Sequence, residues 1–243
     1  MIVNASEFVF YPPAPISRAR RVLIKPDAAF VYPSPMMTGK KTLERIISGI
    51  RDVSDADILL LEGNQQGKPI REIYKAIGYD FSRVLIVDVK DCNLVEVENP
   101  LLHPYAIPTF WVPNIILACD YLISLSSFKI SRNSGNFTIQ NLLGLLPLSK
   151  YKGGSRTGFG ELQKLGMDKV LADLYFTLPF DLGIIDARNR FAGDEVSGKG
   201  EVTEYGKIFI CEPYEVDNEA LKAEGLHPEY MKLIELGRVE IGG

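Results

Sequence analysis

The feature that most narrows the fold of this chain is a short apolar run that recurs and stops on a polar residue. Val22-Leu23-Ile24 ends in Lys25-Pro26-Asp27, and Asp57-Ile58-Leu59-Leu60-Leu61 ends in Glu62-Gly63-Asn64. Val84-Leu85-Ile86-Val87 stops at Asp88, and residues 120–125, 181–186 and 207–211 follow the same plan. Apolar runs this short, bounded by turn signals, suit strands buried on both faces, as in a parallel sheet. Segments of helical period lie between them. After Thr38, read as an N-cap, Leu43, Ile46, Ile47 and Ile50 share one face while Lys40, Lys41, Glu44 and Arg51 take the other. Pro69 opens a second helix through Ile77, with Gly78 as its stop. Thr138 caps a third through Leu145, and residues 162–175, 216–223 and 229–236 read as further helices. Leu94-Val95-Glu96-Val97 alternates like a half-exposed strand. This alternation predicts an α/β fold with a mostly parallel central sheet flanked by helices.

The chain has 243 residues and no internal repeat, so we expect one α/β domain over 1–243. Residues 1–20, with the stiff Tyr11-Pro12-Pro13-Ala14-Pro15, are expected as an N-terminal arm. Residues 151–160, rich in Gly, Lys and Arg, read as a loop. A 46% hydrophobic composition is enough for a sizeable core and excludes bulk disorder. Lys and Arg number 27 against 31 Asp and Glu, a net charge of −4, which argues against a general grip on nucleic acid. Every apolar stretch falls short of the about 20 residues that span a membrane, so no membrane partner is expected. Residues 1–15 lack a secretory pattern and the three cysteines form no framework, which points to the cytoplasm. Oligomeric state is left open.

In parallel α/β sheets, ligands bind beyond the carboxyl ends of the strands, where loops and helix N-termini converge. The candidates at those ends are Lys25 and Asp27, Glu62 and Asn64, Ser126 and Lys129, and Asp186 with Arg188. An ionisable group directly after a buried run sits near low dielectric, where its pKa can move toward useful values. Each of these taken alone is also what an ordinary solvated loop looks like.

Several motifs are ruled out by their spacing. Gly63-Asn64-Gln65-Gln66-Gly67-Lys68 is one residue short of a phosphate loop, and Pro69 stands where a Ser or Thr is needed. Its glycines suit a turn, although a helix start there leaves room for an anion. There is no GxGxxG after the first strand and no GxSxG, and the two histidines, His103 and His227, are isolated. Cys92, Cys119 and Cys211 have no metal-ligand spacing, and Cys119 and Cys211 read as small core residues, as does Trp111. No metal site is assigned, although Asp27, Glu62 and Asp186 could hold a Mg²⁺ if they converge.

The richest segment is 125–147. Lys129 is read as leaving a strand end, and Thr138 opens a helix after Asn133-Ser134-Gly135-Asn136. A lysine beside turn amides and a helix start suits phosphate or carboxylate, with Thr138 and Asn141 as further contacts. The competing view is a surface turn whose asparagines cap their own backbone.

At this segment the chain resembles the family called domain of unknown function 362. Ile24-Lys25-Pro26-Asp27 is similar to its early "KPN" element, Leu61-Glu62-Gly63-Asn64 to its "EG" strand end, and Asp120 to Lys129 to its "aDvlinlpklK" element. Thr138 to Pro147, Ile184-Ile185-Asp186 and Glu212 to Asp217 resemble later elements of the family. In this chain Asp27 replaces an Asn, Gln140 a Lys, and Ser131 a His of those patterns. Some relatives carry a ferredoxin-like iron–sulfur module, whose CxxCxxC run is missing from this sequence. The resemblance implies an α/β fold without implying a reaction.

Three functions follow as expectations. The first is binding or conversion of a small anionic metabolite, with Lys25 and Lys129 holding the anion and Glu62 or Asp186 as general base. Asp27, Asn64, Thr138 and Asn141 complete that ligand site. The second, implied by the resemblance alone, is a redox component working with a separate iron–sulfur partner. The third is a non-catalytic scaffold whose polar strand ends do not converge.

Overall fold

The computed structural model describes residues 1–131, 134–153, 158–195 and 197–242. Its centre is a run of parallel strands, β2 (Arg21–Pro26), β3 (Asp57–Glu62), β4 (Val84–Asp88), β7 (Tyr121–Ser131) and β9 (Leu182–Asp194). Beyond β9, β10 (Lys199–Cys211) and then β1 (Ile2–Asn4) pair antiparallel, and the short β8 (Ser134–Gly135) folds back on β7. The order is β1-β10-β9-β7-β2-β3-β4, so the α/β fold has a mixed, mostly parallel eight-stranded sheet. A separate two-stranded sheet pairs β5 (Leu94–Glu98) with β6 (Thr109–Pro113).

Period-two alternation sends the strand residues to two cores. Val22, Ile24, Ile58, Leu60, Ile123 and Ile184 face α1 (Lys40–Val53) and α2 (Ile70–Ala76). Leu23, Leu61, Phe128 and Ile185 face the other side, toward α6 (Met167–Thr177), α7 (Pro213–Ala223) and α8 (Glu229–Gly242). Leu43, Ile46 and Ile50 of α1 are fully buried, each contributing about 1.5–3 kcal/mol before entropy is counted.

The connections create a switch point. From β2 the chain crosses through α1 to β3 and through α2 to β4, stepping outward on one side. It then returns to place β7 on the other side of β2 and continues outward to β9. The loops leaving β2 and β7 therefore diverge, and the gap between them is where open α/β sheets hold ligands. β7 also outruns its neighbour. Pro26 pairs with Leu125, but β7 continues to Ser131 alongside β9, raising a wall over one end of the rim.

Several expectations change. The 1–20 arm is part of the body: β1 pairs with β10, and Phe8, Phe10 and Ile16 are buried. Gly49 of α1 lies so close that an added Cβ would stand 2.4 Å from the Phe10 carbonyl oxygen. Thr38 and Thr138 are not N-caps; Gly39 and Phe137 hold those positions. The expected helix from Thr138 is a four-residue α3 (Thr138–Asn141) followed by a 3-10 turn, Leu142–Leu145. The 162–175 helix is two, α5 (Gly160–Leu165) and α6, broken at Gly166 with φ +88°. Among the described residues no helix is long and apolar enough to cross a membrane. Of the expected loop at 151–160, residues 154–157 lie outside the described residues, as does Asn133.

Candidate functional site

At the switch point the sequence ends two apolar runs on charges, and both charges are buried. Lys25 is 2% exposed and Glu62 is fully enclosed, so neither could be tolerated alone. Lys25 Nζ lies 2.7 and 2.8 Å from the two Glu62 oxygens, and donates to Asn141 Oδ1 and the Pro26 carbonyl, each at 2.8 Å. Glu62 also accepts from the backbone of Ala28 at 3.1 Å and of Gly63 at 3.0 Å. Burial pushes the Glu62 carboxyl above the ordinary range, against the opposing pull of Lys25 and the two amides. Gly144, just after α3, permits this packing. A Cβ there would stand 2.7 Å from Glu62 Oε1 and 2.9 Å from Lys25 Nζ.

Asn141 closes the gap where β2 and β7 part. Its amide nitrogen donates to the carbonyls of Lys25 at 3.1 Å and Leu125 at 3.3 Å, and to Ser124 Oγ at 3.2 Å. Thr38 acts from the other side of the sheet. Its hydroxyl accepts from the Asp27 amide at 3.0 Å and donates to the Leu125 carbonyl at 3.2 Å, fixing the turn that follows β2.

Lys129 is the second buried ammonium, projecting from the extended part of β7 rather than from its end. Its Nζ lies 2.7 Å from Asp27 Oδ2 and 2.7 Å from Glu195 Oε2. Burial favours the neutral amine, but the two carboxylates outweigh it and hold the ammonium well above its usual range. Asn136 donates its side-chain amide to the other oxygen of Glu195.

These groups open on one cavity of about 390 Å³ that includes Lys25, Asp27, Glu62, Lys129 and Asn141 in its lining. Its apolar walls come from Phe30, Met36, Met37, Phe137 and Leu143. The described lining carries two lysines but four carboxylates, Asp27, Glu62, Asp194 and Glu195. The sequence reading treats the lysines as free anion holders; in the structure each already carries a carboxylate.

Three sequence candidates point elsewhere. Asn64 accepts from the Gln66 and Lys68 amides at 2.8 and 3.0 Å, so it ties its own loop. Thr138 donates to Asp217 Oδ1 at 2.6 Å, and Asp217 also accepts the Thr138 and Ile139 amides, anchoring α3. Asp186 lies within β9 rather than at its end. It accepts from the Thr42 hydroxyl and, at 2.8 Å, from Arg188, which places it at the start of α1. It does not line the cavity. The phosphate-loop look-alike is also filled from within: Asp88 accepts the Ile70 amide at 2.9 Å, and Gly67 turns with φ +77°. Asp27, Glu62 and Asp186 therefore do not meet, and among the described residues no three His, Cys, Asp or Glu side chains gather in metal-binding geometry. Glu195 and Gly144 are the site-forming residues that sequence reasoning did not single out.

No curated protein matches the chain. Among solved structures it is similar to the lactate racemase apoprotein from Thermoanaerobacterium thermosaccharolyticum, with a TM-score of 0.56 and 14% identity. The match covers 90% of this chain and 53% of that one, so the chain spans about half the length of the racemase. At that identity the likeness concerns the fold. The profile described as Domain of unknown function (DUF362) matches residues 22–222, most of the length, and the chain belongs to this family.

Proposed function

We propose that the cavity at the β2–β7 switch point is the ligand site of this protein and that it takes a small metabolite bearing a negatively charged group. The observation that carries this reading is the convergence of two buried ammonium groups, Lys25 and Lys129, on one cavity at the strand rim. A volume of about 390 Å³ suits a compact metabolite and is too tight for a macromolecular segment. Because both lysines are already paired, the ligand's anion enters by exchange with a resident carboxylate. Lys25 and Glu62, hydrogen-bonded and sheltered from water, form a pair able to hold or pass a proton beside the bound molecule. The racemase of similar fold is named for lactate, a small hydroxy acid, and a ligand of that size fits this cavity.

The test is thermal stabilisation of the protein by a panel of small hydroxy acids, keto acids and phosphorylated compounds. Stabilisation by at least one compound, lost in Lys129→Gln with unchanged circular dichroism, supports the reading. Glutamine keeps a hydrogen-bond donor toward Asp27 and Glu195, and these carboxylates, 19% and 27% exposed, keep access to water that the enclosed Glu62 lacks, so the fold is expected to persist. Equal stabilisation of variant and parent overturns the role of Lys129.

A further inference from the structure

The contacts of Glu195 extend the proposed site. This residue sits in the turn between β9 and β10 and sends its carboxylate back over the rim into the cavity. One oxygen meets Lys129 Nζ at 2.7 Å and the other accepts from the Asn136 side chain. The backbone carrying each donor is fixed independently of Glu195. Lys129 is 5% exposed at its side chain and projects from a strand paired on both sides, and the backbone N–H of Asn136 donates to the Lys129 carbonyl at 2.9 Å. A cation and a neutral amide, each addressing a different oxygen of one planar group, form a receptor matched to a carboxylate.

We infer that Lys129 and Asn136 form a carboxylate-binding cradle, that Glu195 is its resident occupant, and that the ligand of this site is a carboxylic acid whose carboxylate replaces Glu195. This rests on the proposed ligand site and names its substrate class. Three features support the exchange. Glu195 is the more exposed of the two carboxylates on Lys129, at 27% against 19% for Asp27. Asp27 is tied through its own amide to Thr38, which anchors it in the rim, whereas Glu195 belongs to a hairpin turn. The incoming group restores the same charge and the same two hydrogen bonds, so Lys129 is never left unpaired. Glu195 thus acts as a tethered competitor, and its removal strengthens binding of any free carboxylate by the factor the tether imposes.

The experiment is an NMR titration of the full chain with acetate and, separately, inorganic phosphate, for the parent, Glu195→Ala and Glu195→Ala/Asn136→Ala. Circular dichroism confirms the fold of each. The expected result is acetate binding at least tenfold tighter in Glu195→Ala, a much smaller change for phosphate, and loss of the gain when Asn136 is also removed. An equal gain for acetate and phosphate overturns the carboxylate assignment while leaving an anion site. No gain in Glu195→Ala, with acetate binding retained by the parent, overturns the competitor role and leaves the proposed function standing. A tighter complex that does not depend on Asn136 overturns the cradle. Absence of binding by parent and variants alike, together with no stabilisation by any compound of the wider panel, overturns both.

Discussion

Replacing Lys25 with methionine isolates the most deeply buried ion pair among the described residues of the cavity. The substitution retains much of the apolar stem and removes the ammonium, leaving Glu62 enclosed with only two backbone donors, Ala28 and Gly63. Removing one partner of a buried ion pair costs about 3–5 kcal/mol, because the remaining charge has no counterion. Asn141 Oδ1 and the Pro26 carbonyl also lose a donor each. In a chain of this size 1 kcal/mol corresponds to roughly 2–4 °C in Tm, so a fall of about 6–20 °C is expected at pH 7. The effect carries a pH signature. Without Lys25 the folded-state pKa of Glu62 rises further above its unfolded value, so protonation favours the fold. The deficit is therefore small at acidic pH and grows once pH climbs past the folded-state pKa of Glu62 in the parent, which itself lies above the ordinary carboxylate range. Lys25→Met/Glu62→Gln removes both charges and recovers most of the loss. Urea unfolding of parent, single and double variants at pH 5 and pH 7, at constant m, measures this. A single variant within about 1 kcal/mol of the parent, or a double variant no better than the single, refutes the reasoning.

Gly144→Ala is expected to destabilise by about 1–3 kcal/mol, because the new methyl would stand 2.7 Å from Glu62 Oε1; an unchanged urea midpoint contradicts this. Burial pushes the Asp217 carboxyl up to about 7 despite its bonds from Thr138 and Ile139, so its contribution to stability is fullest below about pH 4 and declines as pH rises toward 7. Asp217→Asn is expected to flatten that decline, and a variant whose stability still falls as steeply over the same interval counts against it. Asp186→Ala, which strips the start of α1 of its carboxylate, is expected to cost about 1–2 kcal/mol in urea unfolding while leaving small-anion binding intact. Loss of binding with the fold preserved would return Asp186 to the ligand site.

Much of this architecture was legible in the chain because burial leaves a strong trace. Val22-Leu23-Ile24 and Ile58 to Leu61 are apolar on both faces, so the strands and the charges that end them could be located together. The same rule misplaced Asp186. It too follows an apolar run, but β9 continues past it for eight residues and its side chain turns toward Thr42. The continuation was hidden because residues 187–194 and 199–206 carry charges and glycines instead of an apolar run. With that hairpin unseen, Glu195 could not be brought back to Lys129. Partners also lie far apart in the chain. Lys25 and Glu62 are 37 positions apart and Lys129 and Glu195 are 66, so sequence could show two lysines near a rim but not the acids that neutralise them. The N-terminal residues were misjudged for a related reason: prolines signalled a stiff strap, while the anchors Phe8, Phe10 and Ile16 are too sparse to form a period.

The most direct measurement is a crystal structure of the protein soaked in a saturating small carboxylate such as acetate, with lactate as a second soak. The account predicts density inside the switch-point cavity, its carboxylate against the Lys129 ammonium and the Glu195 side chain turned away. Density confined to the smaller hollow of about 180 Å³ behind Gly63, or to the outer surface, with Glu195 still on Lys129, would contradict it.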